Sequence, residues 1–290
     1  MLQYGAIVTA TVTDESESEY YAQHQGITFA IAKTQLEDPL THGEEVEGMI
    51  YETKDNKKVL QLDLPDIRPG YYGWGTVVNS RHDLGVFVNV GMLDKEVVVS
   101  LDDLPLESRS WPKANDQVYL TYSVDDRNRF WGHLADAEKM AELFRKAPSR
   151  LMNQDIKATV YQLKLAGSLA ITPEGYSGFI HESERPVEPR LGQVIEARVI
   201  GVRTDGGLNL SMNPRAHEAI DDDAKMLIAL LEKMPNNFLP LHDKSDPDDI
   251  RLQLGISKAQ FKRAVGNLMK QRLIKQEKGQ GITLLNDGEA

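Results

Sequence analysis

The chain has 290 residues, no cysteine, and 44 acidic against 33 basic side chains, for a net charge of −11. Without a thiol, disulfides, zinc–thiolate sites and thiol nucleophiles are excluded. No apolar run approaches the ~20 residues that span a bilayer, and the N-terminus lacks a basic stretch followed by an apolar one, so a cytoplasmic protein without membrane contact is expected. The acid excess would repel a phosphate backbone at long range, so any nucleic-acid site must be local.

From the N-terminus, a polar turn at Gly43-Glu44-Glu45 gives way to a strand alternating through Val46, Gly48 and Ile50. It turns at Lys54-Asp55-Asn56-Lys57 and returns through Val59, Leu60 and Leu62. The same half-pattern recurs downstream, first with Val118, Leu120, Tyr122 and Val124, a turn at Asp125-Asp126-Arg127-Asn128, and a return through Phe130-Trp131-Gly132. It appears a third time from Gly192 through Val194 to Leu208-Asn209-Leu210-Ser211. Val46, Val118 and Val194 are taken as equivalent, 72 and 76 residues apart. Period-2 alternation between Gly, Asp and Asn turns in units of this size predicts small five-stranded barrels.

Between the second and third repeats, residues 136–146 read as a helix, with Met140, Leu143, Phe144 and Ala147 at helical spacing and Pro148 as the stop. From His217 onward the period changes to 3.6. Met226, Leu227, Leu230, Leu231 and Met234 mark a first helix, Pro247 opens a second through Ile250, Leu252 and Leu254 to Gly255, and Ser257 caps a third carrying Phe261, Val265, Leu268 and Met269. Leu273–Gln276 and Ile282–Leu285 then form a hairpin, and three helices with a two-stranded wing make a winged helix. Between Ser257 and Lys278 seven basic residues face only Glu277, a local charge of +6 that leaves −17 for the rest. Of these, Lys258, Lys262 and Arg263 on the third helix, with Lys270, Arg272 and Lys275, are the candidate phosphate contacts.

Alternation also names a ligand face. Val86, Val88 and Val90 share one side of their strand, which leaves Phe87 on the other with Asn89. Ile180 likewise opposes Phe179 and His181, and Trp74 sits between two glycines that would leave its ring accessible. Bases stack on such rings at about 1–3 kcal/mol each, so Phe179, His181, Phe87 and Trp74 are the candidate RNA-binding residues of the barrels.

The order Gly178-Phe179-Ile180-His181, then the strand after Gly192, then Leu210-Ser211 resembles the second half of an S1-type OB-fold domain. Three such units, a short connector and a C-terminal winged helix resemble the bacterial conserved virulence factor B family along essentially the whole chain. The resemblance implies a multi-domain, mainly β architecture: S1-like OB-fold barrels over 1–66, 67–134 and 151–214, a helical connector over 135–150, and an α+β winged-helix domain over 217–287. It implies a cytoplasmic, non-enzymatic protein that binds single-stranded RNA and regulates bacterial gene expression, virulence genes included, after transcription. The sequence departs from the S1 pattern at Ser100, where a His is usual, at Leu169, where an exposed aromatic is usual, and at Gly207, where an Arg is usual; the first repeat has no Gly-Phe-x-His string.

No phosphate-binding loop, metal-ligand spacing or nucleophile motif is present, and neither cofactor nor metal is expected. Asp221-Asp222-Asp223 and Asp246 with Asp248-Asp249 fall at helix starts, where capping accounts for them. Two other readings compete with RNA binding. One is a transcriptional regulator that binds duplex DNA through the winged helix, and the other is a protein-interaction adaptor built on degenerate barrels. A monomer is expected, since no heptad repeat is present.

Overall fold

The computed structural model describes residues 3–213, 222–277 and 279–285. Two compact units divide between Asn213 and Pro214. The expected boundary at His217, together with Asp221 and Lys278, lies outside the described residues.

The first unit holds three closed five-stranded barrels among the described residues. Barrel 1 is built from β1 (Ile7–Glu15), β2 (Glu19–His24), β3 (Ile27–Ala32), β4 (Glu45–Glu52) and β5 (Lys58–Gln61). Barrel 2 uses β6 (Gly73–Arg81), β7 (Gly85–Asn89), β8 (Val97–Ser100), β9 (Gln117–Val124) and β10 (Phe130–Leu134). Barrel 3 uses β11 (Asp155–Lys164), β12 (Gly167–Ile171), β13 (Ser177–His181), β14 (Val194–Val202) and β15 (Leu208–Ser211). Each closes in the order first, second, third, fifth, fourth strand, with the third and fifth parallel, which is the OB arrangement. The first strand of each carries a bulge, which lets it bend from one neighbour to the other.

The pairing corrects the repeat alignment by one residue. Ala10 opposes Val46, Gly75 opposes Val118, and the matching Ala158 opposes Ile195 rather than Val194. Val194 is accordingly 49% exposed while Ile195 is 3% exposed, since a slip of one position exchanges the two faces of a strand.

Barrels 1 and 2 share one hydrophobic cluster, running from Phe29 and Tyr51 in the first to Leu120 and Tyr122 in the second. The buried Tyr51 hydroxyl donates to Gln61 Oε1 at 2.7 Å and accepts the Leu93 N–H at 2.8 Å, so both hydroxyl roles are filled across the junction. Burial pushes this phenol up to about 12. Barrel 3, with its own core of Val160, Ile180, Val199, Leu208 and Leu210, joins barrel 2 through the Gln117 N–H to the Gly192 carbonyl (2.9 Å) and a two-pronged Arg190–Asp116 pair.

The connector is less helical than its spacing suggests. Helix α1 spans only Ala137–Ala141, capped by Asp136, and of its expected stripe only Met140 is buried. Beyond it, the Arg145 and Ala147 N–H groups donate to the Gly175 and Gly206 carbonyls at 2.8 and 2.9 Å. Barrel 3 thus supplies the partners a continued helix would have supplied, and Phe144 is left exposed.

The second unit contains α2 (Asp222–Leu231), a short strand β16 (Phe238–Leu239), α3 (Pro247–Leu254), α4 (Lys258–Lys270), β17 (Ile274–Glu277) and β18 (Gly281–Leu284). Asp246 caps α3 with Pro247 in its first turn, and Gly255 ends it in the left-handed conformation. Ser257 and Gln260 form a capping box on α4. Leu227, Leu231, Ile250, Leu254, Phe261, Val265 and Leu268 make the core, whereas Leu252 and Met269, counted with the apolar stripes above, face outward. β16 extends the hairpin to a three-stranded sheet in the order β16-β18-β17.

Candidate nucleic-acid interface

The second, third and fifth strands of barrels 2 and 3 line up one outward residue apiece. In barrel 3 the row is Leu169, Phe179 and Asn209. In barrel 2 it is Phe87, Val98 and Trp131. In barrel 1 the matching positions are Tyr21, Ala30 and Val59, of which Ala30 and Val59 are buried. The aromatic that barrel 3 carries in the centre of its row is therefore displaced to the two flanks in barrel 2.

In barrel 3, Ile180 is fully buried and its neighbours point out, Phe179 half-buried and His181 exposed, with their rings edge-on at 6.3 Å. Gly167 pairs with His181, and a Cβ there would come within 2.9 Å of the Phe179 ring. The glycine is thus what lets the ring lie against the sheet. His181 Nδ1 accepts the Ser183 N–H at 3.2 Å and lies 2.8 Å from the Ser183 hydroxyl. With Nδ1 accepting, the proton of the neutral ring sits on Nε2, a donor beside Phe179.

At Gly207, where the S1 pattern has a basic residue, the space is occupied from within the same hairpin. The Arg203 guanidinium fills the space a side chain at 207 would take, held by Asp205 at 3.2 Å. Sequence alignment by position misses this, because the cation comes from a residue four places away and returns through space.

Phe87 is half-buried and faces outward, as its alternation requires, in a groove of about 410 Å³ that Val98 and Trp131 also line. Trp131 was not singled out by the sequence, since its flanking Phe130 and Gly132 are core residues and the three read as one closing strand. Trp74 is 39% exposed and leans on Tyr119 at 5.2 Å, on the first and fourth strands and away from the Phe87 row. Its glycine neighbours do not open the ring to solvent. They face inward, where a Cβ on Gly73 would meet Ile67 at 2.7 Å and one on Gly75 would meet Val88 at 2.5 Å.

Barrel 1 offers little to a phosphate. Its corresponding groove is lined by Glu19, Asp55 and Asp94 against the single cation Lys57, which is already paired with Glu19.

In the second unit, Lys262, Arg263 and Lys270 of α4 are exposed and Lys258 is half-buried. Lys258, Lys262, Gly266 and Lys270 succeed each other every four residues and so form one row on the helix surface. Among the described residues these three lysines, Arg263 and Arg272 have no ion-pair partner, whereas Lys275 is paired with Glu277 at 3.3 Å. Arg272 follows the helix in the left-handed conformation.

Models of four domains cover the chain: an S1 domain over 4–61, the CvfB first S1-like domain over 72–133, the second domain of virulence regulatory factor CvfB over 140–214, and a CvfB-like winged-helix domain over 225–284. The chain is 37% identical to the Bacillus subtilis protein YitL over 95% of its own length and 92% of the relative's. It is 38% identical to conserved virulence factor B of Staphylococcus epidermidis, over 87% and 84% of the two chains. A crystal structure from Streptococcus pneumoniae TIGR4, described as a multidomain protein with nucleic acid binding domains, is 44% identical and superposes with a TM-score of 0.71 over 97% and 98% of the two chains. With three S1-type barrels, a winged helix and this identity along nearly its whole length, the chain belongs to the conserved virulence factor B family.

Proposed function

We propose that this protein binds single-stranded RNA through its barrels and regulates gene expression after transcription in the cytoplasm, virulence genes included, without chemistry of its own. The observation that carries the reading is the pair on β13: a half-exposed Phe179 ring beside His181, whose Nδ1 is engaged and whose Nε2 is left as a donor. A ring and an adjacent donor on an OB sheet suit a stacked base and its edge or ribose hydroxyl. Phe87 and Trp74 are auxiliary platforms in the same reading. The row Lys258, Lys262 and Lys270, with Arg263 and Arg272, adds sequence-independent phosphate contacts, and Lys275 joins them when phosphate displaces Glu277.

The basic row on α4 also favours a second reading, in which the winged helix binds duplex DNA. Fluorescence anisotropy with a labelled single-stranded RNA and with single- and double-stranded DNA of matched sequence, at two salt concentrations, separates the two. Preference for single-stranded RNA that weakens with salt and falls in Phe179→Ala/His181→Ala supports the barrel site. Preference for duplex DNA, lost in Lys262→Gln/Arg263→Gln and untouched by the barrel variant, moves the function to the winged helix. Absence of binding to any of the three leaves the adaptor reading.

A further inference from the structure

Barrel 2 lacks the central aromatic of barrel 3 but flanks the empty position on both sides. Phe87 pairs with Val98 and Val98 pairs with Trp131, so the backbones that carry the two rings lie two strand spacings apart, about 9.6 Å. A planar base held between two rings needs about 7 Å, two contact distances of about 3.5 Å. Val98, small and half-buried, forms the floor.

Trp131 is fixed before any ligand arrives. Its indole N–H donates to Asp125 Oδ2 at 3.1 Å, and the Arg129 guanidinium, itself paired with Asp125, lies 5.2 Å from the ring centroid. A platform held this way loses little side-chain freedom on binding.

The same groove also holds a cation. Lys95 is half-buried, its Nζ 5.2 Å from the Phe130 centroid, and among the described residues it has no ion-pair partner. Burial pushes its pKa down, with Glu52 and Glu96 opposing only at a distance. Lys54, which lines the groove from barrel 1, is by contrast neutralised by Glu96 at 2.5 Å. A half-buried lysine that forms no ion pair among the described residues is a place where an incoming phosphate gains a charge-assisted hydrogen bond.

We propose that barrel 2 is a second nucleotide subsite, in which Phe87 and Trp131 clasp one unpaired base over Val98 while Lys95 receives its phosphate. The proposal rests on the reading of the protein as a binder of single-stranded RNA, and adds a site that has neither the Gly-Phe-x-His string nor the histidine of barrel 3.

The three tryptophans of the chain make the test local. The full-length protein is labelled with fluorotryptophan, its resonances are assigned with Trp74→Phe and Trp131→Phe, and fluorine NMR follows a titration with a mixed-sequence single-stranded RNA and its DNA counterpart. Trp111, buried and hydrogen-bonded to the Pro105 carbonyl at 2.6 Å, reports the integrity of the same barrel. The expected result is a Trp131 shift on adding RNA that persists in Phe179→Ala/His181→Ala, and that needs several-fold more RNA in Lys95→Gln while Trp111 stays in place. A larger response to DNA than to RNA would overturn the assignment of RNA to this subsite. RNA that raises the anisotropy yet leaves Trp131 unmoved overturns the subsite alone. An unchanged titration in Lys95→Gln overturns the phosphate assignment, and RNA that neither moves Trp131 nor raises the anisotropy sinks the subsite together with the reading beneath it.

Discussion

His181 Nδ1 accepts the N–H of Ser183, the Ser100 hydroxyl accepts that of Asp102, and Ala32, at the same place in barrel 1, caps nothing. The position therefore has two separable roles: starting the turn after the third strand and presenting a ring donor. Ser100 retains the first and loses the second, which gives the departure from the S1 pattern a physical meaning. His181→Ser should then leave stability within about 0.5 kcal/mol of the parent, as for surface changes that keep their hydrogen bond. It should weaken RNA binding by about 0.5–1.5 kcal/mol, one lost hydrogen bond; urea denaturation and anisotropy measure the two effects. Phe179→Ala should cost more, about 1–3 kcal/mol of binding, the worth of one stacked base. Asp125 makes a separate prediction. The Arg129 N–H, the Trp131 indole, the Arg129 guanidinium and the Arg127 N–H together hold its carboxyl below the usual range. A lowered pKa stabilises the fold at pH above the unfolded value of about 3.9 and ceases to do so as the pH falls through the folded value. Asp125→Asn should accordingly flatten the loss of urea resistance between neutral and acid pH, and parallel curves for variant and parent would refute the assignment.

Gly266 stands in the middle of α4, and among the described residues no atom beyond its own helix backbone and chain neighbours lies within 4 Å of the place a Cβ would occupy, so core packing there does not require it. Glycine in an exposed helix interior costs about 0.5–1 kcal/mol relative to alanine, and Gly266→Ala should raise the stability of the second unit by that amount in a thermal or urea melt. If the variant also binds nucleic acid less well, the glycine serves close approach of a backbone between Lys262 and Lys270. The caps and the 3.6 periodicity of α3 and α4 could be read from Asp246, Pro247, Gly255 and Ser257, because capping is local chemistry. What could not be read was tertiary. The connector has the apolar spacing of a longer helix, but barrel 3 takes the Arg145 and Ala147 N–H groups. Val194 and Ile195 are both branched and apolar, and only pairing with β11 shows which faces the core. β16, two residues long, has no periodicity to display. The candidate site divides in the same way: the outward placement of Phe179, His181 and Phe87 follows from alternation, whereas Trp131 and Arg203 become visible only when strands pair and a hairpin closes.

Barrels 1 and 2 share one core, with the Tyr51 hydroxyl hydrogen-bonded on both sides of their junction. Tyr51→Phe removes that hydroxyl from a buried pair of partners and should destabilise both barrels together by about 1–3 kcal/mol, seen as a single shifted urea transition in the first unit. The second unit, with its own core, should melt unchanged. The distribution of charge over the molecule yields the last prediction. The net charge of −11 opposes association with RNA at long range, yet the window from Ser257 to Lys278 carries +6. Each phosphate neutralised on a single strand contributes about −0.7 to the slope of log affinity against log salt. If one strand engages both units, Lys262→Gln/Arg263→Gln should make that slope shallower by about 1–1.5 for a long RNA, while Phe179→Ala/His181→Ala lowers affinity at every salt concentration with little change of slope. For independent contacts on one strand the combined variant should lose the product of the two factors, since linkage makes the second contact intramolecular. An RNA of about four nucleotides, no longer than one OB site, should respond to the barrel variant alone. Equal salt slopes for parent and Lys262→Gln/Arg263→Gln on the long RNA would remove the winged helix from RNA binding and leave its basic row for another partner.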